Sequence, residues 1–285
     1  MKSKKNLASK LQRFHDHVIT GVTGDTPTRE SDPAGMPPRY RRLAAALGGQ
    51  LVHRAEGSYC LVRTVYPWGH RHGIFELRPG QERLPLGAFT VDDQPGELDL
   101  GRLLFVDTET TGLGGTGSVA FLVGCGSLTA EGFEVRQYVI PDYSDEAAVL
   151  EALLEEFTAE RSLVSYNGAA FDLPLLTGRM IVNRAAREIL HDRHVDLLHP
   201  VRRLFKRRLR DCSLTNLERC VLGFERVGDI PGYLIPSVYF DWVGEERTED
   251  LEAVMEHNRL DIFSLYFLLG HIVQVVETEG RDLTE

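Results

Sequence analysis

The chain has no run approaching the roughly 20 consecutive apolar residues that a membrane-spanning helix needs. Its first residues, MKSKKNLASKLQRF, carry charges but no apolar leader core. No membrane association is expected, and the expected address is the cytoplasm. Cysteine is scarce: the four, at 60, 125, 212 and 220, show no C-x-x-C spacing, which argues against both a zinc site and a disulfide framework. They read as buried or idle thiols. No internal repeat is visible. Positive charge is thin over most of the chain, because residues 1–95 carry 14 Lys and Arg against 9 Asp and Glu, whereas residues 96–285 carry 18 against 33. An acidic body is a poor non-specific phosphate binder, so a nucleic-acid ligand would have to be drawn by local basic patches and metal ions. What is present is ordinary for a globular protein: 285 residues, 42% hydrophobic and 26% charged, enough for one large core or two modest ones.

Along the chain, residues 5–18 predict a short helix and residues 21–38, rich in Gly, Pro, Thr and Asp, a linker. YRRLAAAL at 40–47 predicts a helix stopped by Gly48 and Gly49, and Gln50 to Leu77 predicts β-type runs around a His-rich loop whose His70 and His72 read as polar surface. From 101 onward the pattern is mixed α/β: a strand at 103–107, an antiparallel hairpin of 119–128 with 133–140, and a helix from Ser144 to about Thr158. A strand at 163–166 and a helix from Asp172 follow. Next come a brief strand near Val195, helices near 199–209 and 213–222, and a long helix from about Thr248 to Val276 with Thr248 as N-cap. We therefore divide the chain into a flexible segment 1–39, a small β-containing N-terminal extension 40–98 and an α/β domain 99–280, a mixed sheet flanked by helices.

The chemistry centres on LLFVDTETTGL, 103–113. Side chains alternate along a strand, so Asp107 and Glu109 project to one face at its C-terminal end. Two carboxylates there either mark a solvated strand end or repel each other across a site that calls for a hard divalent cation. Asp172, in YNGAAFDLPLL, follows the strand at 163–166 closely enough to be aimed at the neighbouring strand end; alone it also reads as a helix N-cap. Phe171 is expected to anchor that loop in apolar surroundings, and Tyr166 and Phe171 read equally as core or as base-stacking residues. In MEHNRLDIFSL, His257 and Asp261 stand four apart on one helix face, an ordinary pair or part of the same cleft. Four carboxylates and a histidine suit two-metal phosphodiester hydrolysis by Mg²⁺ or Mn²⁺, with His257 taking the proton of the attacking water. The basic run HPVRRLFKRRLRD, with Arg203, Lys206 and Arg207 at its centre, reads as a phosphate track or as a solvated helix face.

DTETTGL at 107–113, the N-x-x-x-F-D form at 167–172 and Asp261 in the terminal helix resemble the three exonuclease motifs of the DEDD superfamily. DCSLTNLERCVLGFERVGDIPGY and EGSYCLVRTVYP make the chain similar to the bacterial YprB-type ribonuclease H-like proteins. The resemblance covers roughly residues 101–275. It implies a ribonuclease H-like fold and a 3′→5′ exonuclease acting on single-stranded DNA or RNA ends with two Mg²⁺ or Mn²⁺ ions. The implied metal ligands are Asp107, Glu109, Asp172 and Asp261. By the same similarity Thr110, Gly112 and Asn167 approach the terminal nucleotide and Leu113 wedges beside its base. One departure stands out: the superfamily places tyrosine four residues, or histidine five, before the last aspartate, and this chain has histidine at the tyrosine spacing. A catalytically silent nucleic-acid-binding domain and a structure-specific endonuclease are the alternative readings.

Overall fold

Strand residues buried on both faces can sit only between two layers, and residues 103–106, most of 120–139 and Ser162–Ser165 are of that kind. The computed structural model describes residues 36–79, 83–85, 97–112, 117–186 and 188–279; the helix expected at 5–18 and the linker up to residue 35 lie outside them. A first helix, α1 (Pro38–Ala46), precedes the antiparallel pair β1 (Gln50–Arg54) and β2 (Gly57–Pro67). Two small hairpins follow, β3 (Arg71–His72) with β4 (Phe75–Glu76), and β5 (Arg83–Pro85) with β6 (Glu97–Asp99). The central strands are β7 (Leu103–Thr110), β8 (Ala120–Thr129) and β9 (Gly132–Val139). After them come α2 (Glu146–Glu156), β10 (Ser162–Ser165), α3 (Asp172–Val182), β11 (His194–Asp196) and α4 (Leu198–Phe205). The chain ends in α5 (Leu214–Leu217), a π-helical turn at Glu218–Leu222, α6 (Ile235–Glu245) and α7 (Leu251–Glu279).

One seven-stranded sheet runs in the order β1-β2-β9-β8-β7-β10-β11. The pairs from β1 to β7 are antiparallel, and β10 and β11 add in parallel beside β7. β2 pairs with β9 from Cys60 to Pro67, so the N-terminal strands and the α/β segment share one sheet. Each face has its own core. Leu104, Val106, Val123 and Cys125 pack with α2, α3 and α6, while Leu103, Phe105, Phe133 and Val135 pack with α4 and α7. The fold is a ribonuclease H-like mixed sheet between helical layers.

Several expectations are corrected. Ser144 does not cap α2: its backbone N–H is taken by Asp142, which opens a 3₁₀ turn over Tyr143–Asp145 before the helix begins. His72 is not surface but buried, bonded to Ser264 Oγ at 2.8 Å and stacked on Phe224; burial, then the Arg226 and His70 charges, press its pKa down to about 4. α6 is a helix the sequence pattern did not announce. By length and composition Leu251–Thr278 would also suffice to cross a membrane, but here its apolar side is the cover of the sheet, with Ile262, Phe263, Leu268 and Ile272 fully buried.

α7 approaches the sheet closely because Gly124, paired with Asp107, has no side chain. A Cβ there would lie 2.2 Å from Ile262 Cδ1 and 2.3 Å from Asn258 Oδ1. That contact fixes where the helix presents its polar residues.

Candidate active site

The alternation of β7 puts Asp107 and Glu109 on the α7 face and Thr108 on the α3 face. Asn258 on α7 donates through Nδ2 to Asp107 Oδ2 at 2.8 Å and is itself held by Gln137 Nε2 at 2.9 Å. Thr108 Oγ1 donates to Asp172, the first residue of α3. The turn that delivers Asp172 needs a residue at φ 67°, which Asn167 supplies. It also needs a residue without a side chain, since a Cβ on Gly168 would meet Ser165 Oγ at 2.4 Å and Asp172 Oδ2 at 3.1 Å. Asp196, at the end of β11, fastens this turn by accepting the backbone N–H of Asn167 at 2.7 Å and of Ala169 at 3.1 Å.

The four carboxylates converge electrostatically. Burial, then the charges of Asp261, Glu109 and Asp172, raise Asp107 well above the usual carboxylate range, and burial with Asp261 and Asp172 does the same to Glu109. Asp172 is raised by burial against the opposing hydrogen bond from Thr108. From α7, His257 Nε2 lies 3.6 Å from Asp261 Oδ2, and Glu109, His257 and Asp261 each offer a donor atom within 4.8 Å of the others.

Four residues not expected from the sequence complete this centre. Arg226 is only 2% exposed; it grips Glu218 with both Nε and Nη2 at 2.6 Å, reaches Asp229 at 3.2 Å and donates to Asp261. Asp229 in turn meets His257 Nδ1 at 2.8 Å. Glu218, fully buried in the π-helical turn, also accepts from Ser264, the partner of His72. The traces were there: ERVGDIPGY sets charges three apart in a Gly/Pro-rich loop, and Asn258 is a polar residue on an apolar helix face.

Other expected residues are placed as follows. Thr110 closes β7 and donates to the Gly112 carbonyl at 2.7 Å; Leu113 lies outside the described residues. Phe171 is no anchor but 57% exposed at the rim beside Asp172. Tyr166 is half-buried, and its hydroxyl donates to the Cys212 carbonyl. Arg203, Lys206 and Arg207 are all exposed, at the end of α4 and just beyond it.

The sequence matches a family model described as RNase_H superfamily over residues 104–273. The chain belongs to the RNase H superfamily. The matched span holds Asp107, Glu109, Asp172, His257 and Asp261, while β1 and β2 lie before it. Among curated proteins, this RNase H superfamily chain is 36% identical over 233 residues to the "Uncharacterized protein YprB" of Bacillus subtilis (strain 168), covering 79% of this chain and 56% of that one. It therefore spans little more than half the length of that relative. Similar solved structures, each 16% identical, include "apo form of the nuclease" (TM-score 0.43; 64% of this chain, 76% of that). The Aedes aegypti Nibbler EXO domain (0.42; 64% and 82%) and the family B DNA polymerase of Pyrobaculum calidifontis (0.49; 94% and 36%) are others.

The residues present fit a divalent metal. Asp107, Glu109 and Asp172 are hard oxygen donors held above the usual carboxylate range by burial and neighbouring carboxylates, and the nearby fixed cation, Arg226, hydrogen-bonds Asp261 and offsets only part of the elevation of Glu109. A set so short of positive charge suits a hard divalent cation.

Proposed function

We propose that this chain is a metal-dependent 3′→5′ exonuclease of the DEDD type, hydrolysing phosphodiester bonds at the ends of single-stranded DNA or RNA. Asp107, Glu109, Asp172 and Asp261 would hold two Mg²⁺ or Mn²⁺ ions. The observation that carries the reading is that Asp107, Glu109 and Asp172 are kept together as buried carboxylates and all raised, Asp107 in part by the charges of Glu109 and Asp172 and Glu109 in part by that of Asp172. A purely structural or silent domain gains nothing from such an arrangement. When bound, the ions supply Lewis-acid polarisation of the phosphate and a more acidic water.

The protein's own groups do the rest. A histidine that donates Nδ1–H to Asp229 keeps Nε2 free as acceptor, so the 2.8 Å contact favours the tautomer suited to take a proton from the attacking water. Imidazole here stands at the position where part of the superfamily carries tyrosine, and its shorter reach is offset by this fixed orientation. Arg226 holds Asp261 and Asp229 in register from below. Phe171, exposed next to Asp172, is free to stack on a base of the bound strand.

The test is incubation of the protein with 5′-labelled single-stranded DNA and RNA of one sequence, with Mn²⁺, Mg²⁺ or EDTA, beside Asp107→Ala. A metal-dependent ladder shortening from the 3′ end, absent in the variant, is expected. Defined internal fragments would indicate an endonuclease instead, and binding without cleavage would indicate a silent domain.

A further inference from the structure

Arginines in this acidic protein are mostly spent on carboxylates: Arg39 on Asp142, Arg54 on Glu155, Arg136 on Glu156, Arg179 on Glu146, Arg226 on Glu218 and Arg259 on Glu256. The run from 202 to 210 is different. Among the described residues none of its cations, Arg202, Arg203, Lys206, Arg207, Arg208 and Arg210, forms an ion pair, and all six are exposed. Exposed like charges packed together raise the energy of the folded chain unless something neutralises them.

The structure also sorts these cations by direction. Arg202, Lys206 and Arg210, four apart in sequence, line one pocket of about 350 Å³ with Leu209, Asp211, Cys212 and Ser213. Arg203, Arg207 and Arg208 do not line it. The single carboxylate on its wall, Asp211, accepts through Oδ1 from the backbone N–H and hydroxyl of Ser213, at 3.0 and 2.6 Å, and its one charge, felt by Arg210, leaves the trio with a net positive charge. The pocket is joined to the candidate active site by one hydrogen bond and a short stretch of chain. The Cys212 carbonyl in its wall accepts the Tyr166 hydroxyl, Arg202 bears electrostatically on Tyr166, and Tyr166 is followed directly by the Asn167–Gly168 turn that delivers Asp172.

We infer that this pocket is a phosphate-binding subsite for the backbone of a single-stranded nucleic acid whose end lies at the carboxylate cluster, with Arg202, Lys206 and Arg210 as its ligands. Helical spacing groups Lys206 and Arg210 with Arg202 and Arg203, and the pocket is what separates Arg203 from the other three. The inference rests on the proposed nucleic-acid substrate, not on cleavage polarity or on the number of metal ions. Phosphate contacts of this sort position a strand without reading its sequence, so the subsite serves DNA and RNA alike.

The experiment uses the full chain carrying Asp107→Ala, in EDTA, with binding of a fluorescent single-stranded oligonucleotide read by anisotropy over a salt series. Adding Arg202→Ala, Lys206→Ala and Arg210→Ala should weaken binding roughly tenfold at low salt. It should also reduce the slope of log K against log[salt] by about 2, near 0.7 for each lost contact on a single strand. The matched triple Arg203→Ala, Arg207→Ala and Arg208→Ala removes equal charge from the same segment and should change both quantities by less than half as much. Circular dichroism checks that both triples stay folded, as exposed sites should. Equal losses in the two triples would reduce the pocket to diffuse charge and overturn the inference. So would unchanged oligonucleotide binding in the first triple accompanied by lost binding of polyglutamate, which would assign the pocket to an acidic protein. A parent protein that binds the oligonucleotide through this trio yet never cleaves it leaves the subsite standing and removes the nuclease reading.

Discussion

Two clusters of buried charge on the same sheet, one over β9 and α2 and one at the end of β7, are built on opposite rules. On the α2 face, Arg136 of β9 holds Glu156 with Nε at 2.6 Å and Nη2 at 3.0 Å, and Tyr138 and Arg161 fill the remaining acceptor positions of the carboxylate. Burial alone would raise Glu156, but Arg136, Tyr138 and Arg161 outweigh it and hold the carboxyl below its usual range. At the other cluster, where Asp107 and Glu109 on the α7 face meet Asp172 from the start of α3, there are too few such partners and all three are pushed up. A charge cluster that serves only the fold completes itself. One that awaits a ligand leaves its electrostatic deficit standing, at a cost in stability.

The comparison breaks most sharply under substitution. Asp107→Asn removes a charge from the unsatisfied cluster, so hydrolysis should fall at least about 10³-fold, some 4 kcal/mol in barrier, while the thermal midpoint of the metal-free protein rises. A midpoint that drops would mean that the carboxylates stabilise the fold and that the contrast is false. Arg136→Met acts in the opposite sense: it leaves Glu156 buried without its main partner and should cost about 3–5 kcal/mol in unfolding free energy. Chemical denaturation would measure this, and the turnover of the remaining folded protein should match that of the parent.

pH separates the clusters next. For Asp107 and Glu109 the folded pKa lies above the unfolded values near 3.9 and 4.3. Below those values both states are protonated and nothing is lost. As pH rises past them, the unfolded chain releases protons that the folded one retains, and stability falls until the folded pKa is passed. Glu156 runs the other way: its contribution is complete above about 4.3 and disappears as pH falls through its depressed folded value. The metal-free protein should therefore lose stability as pH rises above about 4.3, by about 1.4 kcal/mol for each unit of elevation. Mn²⁺ should raise the thermal midpoint by several degrees at neutral pH and by much less at pH 5. Equal metal gains at both pH values, or an equal response in Asp107→Asn, would show that the ion does not relieve this cluster.

The same contrast shows which parts of the molecule local sequence could express. Asp107, Glu109 and Asp172 sit at element ends that alternation and turn residues mark, and His257 with Asp261 follow from helical spacing, so all five were legible. The central hairpin and β10 with α3 were legible for the same reason. Arg226, Asp229 and Glu218 were not, because the segment 218–229 reaches the site only by folding back across α7, a long-range event with no local period. α6 was hidden differently. Its buried residues Ile235, Val238, Tyr239 and Trp242 have helical spacing, but β-branched and aromatic composition favours a strand reading. Phe171 was misjudged because apolar character predicts burial only in one direction: a large apolar side chain can stand exposed at the surface, as this one does.

That rim position supports the smallest of the expected effects and the one that divides binding from scaffold most cleanly. An aromatic ring 57% exposed contributes little to the core, so Phe171→Ala should alter unfolding free energy by no more than about 0.5 kcal/mol. If the ring stacks on a base, its loss should weaken single-strand binding by about 1–3 kcal/mol per stacked base, with the upper end requiring a fully covered ring. The change should appear as a raised KM with kcat nearly kept, since stacking on a remote face is the same in ground and transition states. Phe171→Tyr or Phe171→Trp should restore the parent KM, and Phe171→Leu, similar in apolarity but without a π-face, should not. Full rescue by leucine would assign the position to simple packing of the Asp172 turn. The exposed ring would then belong with the scaffold side of the comparison, and the proposed ligand site would rest on the unsatisfied carboxylates.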